Sequence, residues 1–269
     1  MLIEYKSSGY LEIKFCKREF CALYKQLPKI MKKTFLLTIL IFGIISCSSG
    51  QKANEKECFY VINVLGAELY EKPSLDSKVI EKIKVGEKII AEDILKTGQS
   101  KKIGNDFYLG GSFIKIQSES IKGFVFSSDL TKLKPLLREF QKGIIIPDID
   151  GQEKSKRIEK RIEKFDNKEY EIEDEITEFE NVTYTYTAFD GCFDHVYVYK
   201  NLTLNEVYHQ LTVNSLVINE TKDGNFIEIP SFIEKKGNES LFEGEGATQD
   251  LKIIVNKDGT FTISSYDCT

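Results

Sequence analysis

The 269-residue chain has no Trp, two His, two Met and five Pro. With His195 and His209 the only histidines, a zinc pair of the His-Glu-x-x-His type is excluded, and the sequence holds neither a Gly-x-Ser-x-Gly elbow nor a Gly-rich phosphate loop. No apolar run approaches the roughly 20 residues needed to cross about 30 Å of hydrocarbon. Clustered basic charge is missing too: residues 47–269 carry 29 Lys and Arg against 39 Asp and Glu, net −10. A surface of that sign does not bind phosphate backbones, so nucleic acid is excluded as a partner. What remains is rich in Phe and Tyr, 18 and 13 residues, a composition that favours strands.

The longest apolar run, Phe35 to Ile45, follows the basic start Met31-Lys32-Lys33 and ends in Ile44-Ile45-Ser46-Cys47. A basic start, a short apolar run and a small-residue cleavage site make a secretory signal. Ile-Ile-Ser-Cys resembles the lipobox of bacterial lipoproteins. That resemblance implies removal of residues 31–46, diacylglycerol on Cys47, and a lipid-anchored place in the bacterial cell envelope, at the outer membrane or cell surface ahead of the inner membrane. Two acyl chains make such anchoring stable where one does not. Residues 1–30 are then an upstream-start artefact or a cytoplasmic extension, and 47–57 a tether.

Beyond the anchor only Cys58, Cys192 and Cys268 remain. In an oxidising envelope a pair within one domain usually bridges. Cys192 and Cys268, at the two ends of the C-terminal β-rich segment, are the expected pair, with Cys58 free or paired elsewhere.

Residues 58–134 show short apolar runs broken by Gly66, Pro73 and Gly86, the spacing of a small barrel or sandwich. Leu69-Tyr70-Glu71-Lys72-Pro73-Ser74, Ser77-Lys78-Val79-Ile80, Val85-Gly86-Glu87-Lys88-Ile89, Phe113-Ile114-Lys115-Ile116 and Gly123-Phe124-Val125-Phe126 through Leu130 follow in an order that resembles a bacterial Src-homology-3 domain, with an enlarged loop near Lys96 to Gly111. The resemblance implies an SH3-like small barrel and a groove for cell-wall or other extended peptides. Tyr70, Phe107, Tyr108 and Phe126, aromatics beside polar loops, are the candidate groove residues.

Pro135, Gly143, Pro147 and Gly151 break regular structure, and in the charged stretch after them Ile158, Ile162 and Phe165 fall at i, i+4 and i+7. This predicts a linker over 135–170 with one short helix. Residues 171–269 alternate as strands do: Thr183 to Thr187, His195 to Tyr199, Thr212-Val213, Leu216 to Ile218, Phe226 to Ile229, Leu251 to Val255 and Thr260 to Ile263. They predict a second antiparallel β domain, barrel or sandwich. Asp190, Asp194 and His195 gather around Cys192, which a turn entering a strand explains without a metal.

The fold class expected is therefore mainly β, an SH3-like barrel plus a second β domain joined by a charged, partly helical linker. The function expected is a non-catalytic envelope lipoprotein, a binding or adaptor module with no cofactor and no catalytic residue. Its partners are the membrane through the lipid anchor and peptidoglycan peptide or an envelope protein. A layout that resembles small periplasmic inhibitors of lysozyme leaves inhibition of a wall-degrading enzyme as the alternative, with a cell-wall hydrolase behind it.

Overall fold

The structure, a computed structural model, describes residues 56–117, 122–221, 224–244 and 246–268. The expected signal peptide and lipidation at Cys47, the 1–30 segment and most of the expected 47–57 tether lie outside the described residues. No described helix is long and apolar enough to cross a membrane.

Ten short strands fill the first segment: β1 (Cys58–Val61), β2 (Ala67–Tyr70), β3 (Val79–Ile83), β4 (Lys88–Ile90), β5 (Asp93–Leu95), β6 (Ser100–Lys102), β7 (Tyr108–Gly110), β8 (Phe113–Gln117), β9 (Lys122–Phe126) and β10 (Leu130–Thr131). All pairs are antiparallel. They form a five-stranded sheet ordered β3-β2-β9-β8-β5, a three-stranded sheet β10-β1-β4 and the hairpin β6-β7. Alternation sends Phe59 and Val61, Leu69, Ile89, Ile114 and Ile116, and Val125 into one core between the two larger sheets. No sheet closes on itself among the described residues, so the expected barrel is two open sheets sharing a core. Gly66 makes the β1–β2 turn at φ +83°, where a Cβ would sit 2.7 Å from the Ile83 carbonyl oxygen; only glycine fits.

Residues 135–170 differ from expectation. The stretch contains no α-helix among its described residues, only a single 3-10 turn at Gln141–Gly143; β11 (Leu136–Glu139) and β12 (Ile145–Asp148) form a hairpin, and β13 (Glu153–Phe165) pairs with β14 (Lys168–Phe179) in a second, much longer one. The reason is that an i, i+4 spacing is also an even spacing, so Ile158 and Ile162 share one face of a strand as readily as one face of a helix. The turn decides: Asp166 and Asn167 both have positive φ, 49° and 63°, the two-residue geometry that fits strand twist.

The remaining strands are β15 (Val182–Phe189), β16 (Cys192–Tyr199), the separate hairpin β17 (Val217–Thr221) with β18 (Gly224–Glu228), then β19 (Ser231–Lys236), β20 (Glu239–Glu243), β21 (Thr248–Val255) and β22 (Phe261–Cys268). They join the long hairpin in one eight-stranded antiparallel sheet, β13-β14-β15-β16-β22-β21-β20-β19, rather than a barrel or sandwich. The physical reason is the helix α1 (Leu204–Asn214), which covers one sheet face in place of a second sheet. Thr203 caps it, accepting from the Glu206 amide while the Glu206 carboxylate accepts from the Thr203 amide.

Every residue of α1 from Val207 to Val213 is buried, which an amphipathic surface helix would not show. The helix lies between the sheet, where Tyr199, Ile253 and Ile263 meet Val207 and Leu211, and the first segment, whose Ile62, Phe107 and Leu109 enter the same core. Its polar side chains are therefore tied down: Gln210 Nε2 donates to the Pro147 carbonyl at 3.3 Å, and Thr212 Oγ1 to the His209 carbonyl at 2.7 Å. His209 Nε2 lies 2.9 Å from the Ser128 carbonyl and 3.7 Å from Asp129 Oδ1. Both are acceptors, so Nε2 carries the proton and the ring is neutral.

Candidate functional site

Three of the four expected groove aromatics are core. Tyr70 is 4 % exposed, Phe107 3 % and Phe126 1 %. Tyr70 and Phe126 pack on Phe113 at 5.7 and 5.0 Å, and Phe107 stacks on Phe232 and meets Phe242 edge-on. The four are not brought together in one groove; Tyr108 alone, 47 % exposed, offers its ring to solvent. Cys192 and Cys268 face each other across β16 and β22 and form a disulfide, with Cys58 free.

A cleft of about 420 Å³ lies elsewhere, where the chain leaves the first segment and enters the large sheet. Leu133 and Leu136 give it an apolar wall, and Lys134, Asp148 and Glu180 place opposite charges around it. Gly151, at φ +83°, lets the strand entry pass close to Glu180, whose Cβ would lie 2.6 Å from an added Cβ. Asp148 is held by Arg138 at 2.7 Å and accepts the Asp150 amide at 2.7 Å. The Asp150 carboxyl, next in the strand entry, has Oδ1 buried without a partner, and burial followed by the nearby Asp148 charge pushes its pKa up to about 7.

From Asp150 a row of polar rings runs along one sheet face, its first ring, Tyr199, lying under α1. Alternation and register put Tyr199, Tyr197, His195 and Phe193 of β16 opposite Val182, Tyr184, Tyr186 and Ala188 of β15. Asp150 acts on Tyr199 and Tyr197, Tyr197 stacks on Tyr184 at 4.4 Å, and the Tyr184 hydroxyl is 2.8 Å from His195 Nδ1. His195 Nε2 faces Asp267 Oδ2 at 3.4 Å, which puts the proton on Nε2 and makes Nδ1 the acceptor of the Tyr184 hydroxyl. Burial raises the pKa of Tyr184, Tyr197 and Tyr199, so all three stay hydroxyl donors at neutral pH. Tyr199 is fully buried, whereas Tyr184, Tyr186 and His195 keep partial exposure.

His195 thus pairs with Tyr184 and Asp267 and not with Asp194, whose side chain leaves the opposite sheet face. Among the described residues no three His, Cys, Asp or Glu side chains converge as a metal site. The row was legible in Thr183-Tyr-Thr-Tyr-Thr and His195-Val-Tyr-Val-Tyr, whose alternation puts the rings on one face; the register that joins them to Asp267 was not.

Asp150→Asn checks the electrostatics of this corner. With a folded pKa of about 7 against an ordinary 3.8, the folded chain keeps a proton that the unfolded chain releases between those pH values. That carboxyl favours folding at low pH, and its contribution is lost as pH rises through 7. The shift corresponds to about 4 kcal/mol at most, and partial solvent contact reduces it to about 2. Urea unfolding should show Asp150→Asn more stable than the parent by that amount at pH 8 and indistinguishable from it near pH 4.

The chain matches no protein-family model, and neither a curated protein nor a solved structure gives a significant match to it.

Proposed function

We propose that this chain is a non-catalytic bacterial envelope lipoprotein, tethered through Cys47, that binds short peptides of the cell wall. The observation that carries the ligand is the cleft: an apolar wall from Leu133 and Leu136, with Lys134 able to meet a carboxylate and Glu180 able to meet an amine, while Asp148 is held by Arg138. A peptide bearing both termini or both charge types satisfies such a lining, whereas a purely anionic or purely apolar ligand leaves charges unpaired. Elsewhere on the large sheet the partly exposed Tyr184, His195 and Asp267 offer further hydrogen-bonding groups, whereas Tyr199 is buried.

In this reading the first ten strands are an SH3-like module, supported by the order of the sequence pieces and by two antiparallel sheets sharing one core. The lipid anchor is supported by Met31-Lys-Lys, the apolar run and Ile-Ile-Ser-Cys.

Sedimentation of the full chain with purified peptidoglycan sacculi tests the ligand. Wild type should be retained, and Lys134→Glu, an exposed position at the cleft, should lower retention about tenfold with no change in melting temperature, since one charge-assisted contact is worth about 1.5 to 3 kcal/mol. Equal retention of the two proteins, or none of wild type, would remove the cell-wall peptide.

A further inference from the structure

Strand β13 is one edge of the eight-stranded sheet, and every residue from Glu153 to Phe165 except Glu163 is exposed. Thirteen residues of open edge are a template for another strand. Most natural edges are short or bulged; β13 is irregular only at its start, between Glu153 and Ser155, and beyond it Ile158 and Ile162, 57 % and 60 % exposed, face the same side with nothing over them. The opposite edge, β19, is packed against the first segment through Phe232, which touches Phe107.

The sequence of β13 is self-complementary in one register. Two copies running antiparallel about a two-fold axis through Lys160 place Ile158 opposite Ile162, Arg157 opposite Glu163 and Glu159 opposite Arg161, each pair occurring twice. Moving the axis by one residue sets Arg157 against Arg161 or Glu159 against Glu163. Moving it by two keeps a single Ile pair and one kind of Arg–Glu pair.

The register through Lys160 also faces Lys160 with itself and Lys156 with Lys164. Those charges are already engaged within each copy: Lys160 with Glu171 and Glu173, both 2.8 Å, Lys156 with Glu175 at 2.9 Å, and Lys164 with Glu169 at 2.8 Å. Arg157 and Arg161 are paired within each copy too, with Glu159 and Glu178 and with Glu163 and Asp174, so the cross-copy Arg–Glu pairs share or exchange these partners. We infer that this chain forms a two-fold dimer through β13, joining the two large sheets into one continuous sheet of sixteen strands. The partner is a second copy of this chain, chosen by the pairing of its own charges and isoleucines.

Lys160→Cys in the full chain tests both the edge and the register, because residue 160 meets its own copy at the axis. Mild oxidation should convert most of that variant to a covalent dimer on a non-reducing gel, against about a tenth as much for Lys168→Cys on the neighbouring strand or for wild type with its native thiols. In the Lys160→Cys background, Glu159→Arg and Arg161→Glu should each suppress the crosslink, and the two together should restore it. Equal crosslinking at 160 and 168, no crosslink at 160, or no restoration by the double exchange would overturn the dimer. Monomeric sedimentation of wild type at micromolar concentration would do the same.

Discussion

Asp129→Ala is expected to cost about 3 to 5 kcal/mol of unfolding free energy, the range for removing one partner of a buried ion pair. The Asp129 side chain is 3 % exposed. It accepts from Lys101 Nζ at 3.1 and 3.2 Å and from Asn63 Nδ2 at 3.1 Å, and it faces the neutral His209. Without it an ammonium and an amide lose their acceptor at the meeting of β6, the β1–β2 turn and α1. The loss is therefore felt by the first segment and the helix together. Asp129→Ala combined with Lys101→Met should recover part of the deficit, because the charge left uncompensated is then gone.

The same junction carries a pH dependence. Burial holds the His209 pKa below its usual value of 6.5, outweighing the opposing pull of Asp129. His209 Nδ1 is buried with no donor, so a proton placed there would find no acceptor. The unfolded chain takes up a proton as pH falls below about 6.5 while the folded chain does not, so this histidine's contribution is full above that pH and declines as pH falls toward the depressed folded value. Urea titrations of wild type at pH 7.5 and 5.5 should show the decline, and His209→Gln should flatten it.

The second large effect is expected from the disulfide. Cys192 and Cys268 are 76 residues apart in sequence, and opening a loop of that length releases about 4 kcal/mol of constraint on the unfolded chain. For a unit of this size that lowers the melting temperature by about 10 °C. Paired Cys192→Ser and Cys268→Ser substitutions, or wild type in reductant, should show the drop by calorimetry. Cys58→Ser should leave the transition where it is, since Cys58 is free. The bridge closes the end of the sheet where His195 and Asp267 sit, so its removal should also loosen that end of the tyrosine row.

Much of the β content could be read directly. The alternation at Val182–Phe189, Cys192–Tyr199, Thr248–Val255 and Phe261–Cys268 is the period-2 pattern of half-buried strands, and the cysteines at the ends of that segment are opposite each other in the sheet. What escaped was set by competition between patterns. Thr212 and Val213 read as strand by type, yet Thr203 and Glu206 form a capping box and Leu204, Val207, Tyr208 and Leu211 repeat at helical spacing, so local order won over β propensity. The charged stretch at 153–165 was ambiguous between periods until the Asp166-Asn167 turn was counted. The buried aromatics were misplaced for a different reason. Phe107 lies in a polar insert, but that insert folds back as β6-β7 and sends Phe107 and Leu109 into a core supplied mainly by residues a hundred positions away.

The proposed placement of these modules in the envelope rests on Cys47, and with it the proposed cell-wall peptide ligand. Mass analysis of the membrane-extracted protein measures this directly. The account predicts a mature N-terminus at Cys47 carrying diacylglycerol, and an uncleaved precursor when the lipoprotein signal peptidase is blocked with globomycin. A mature peptide containing Cys16, or an unmodified Cys47 in a chain that stays in the aqueous fraction, would contradict it.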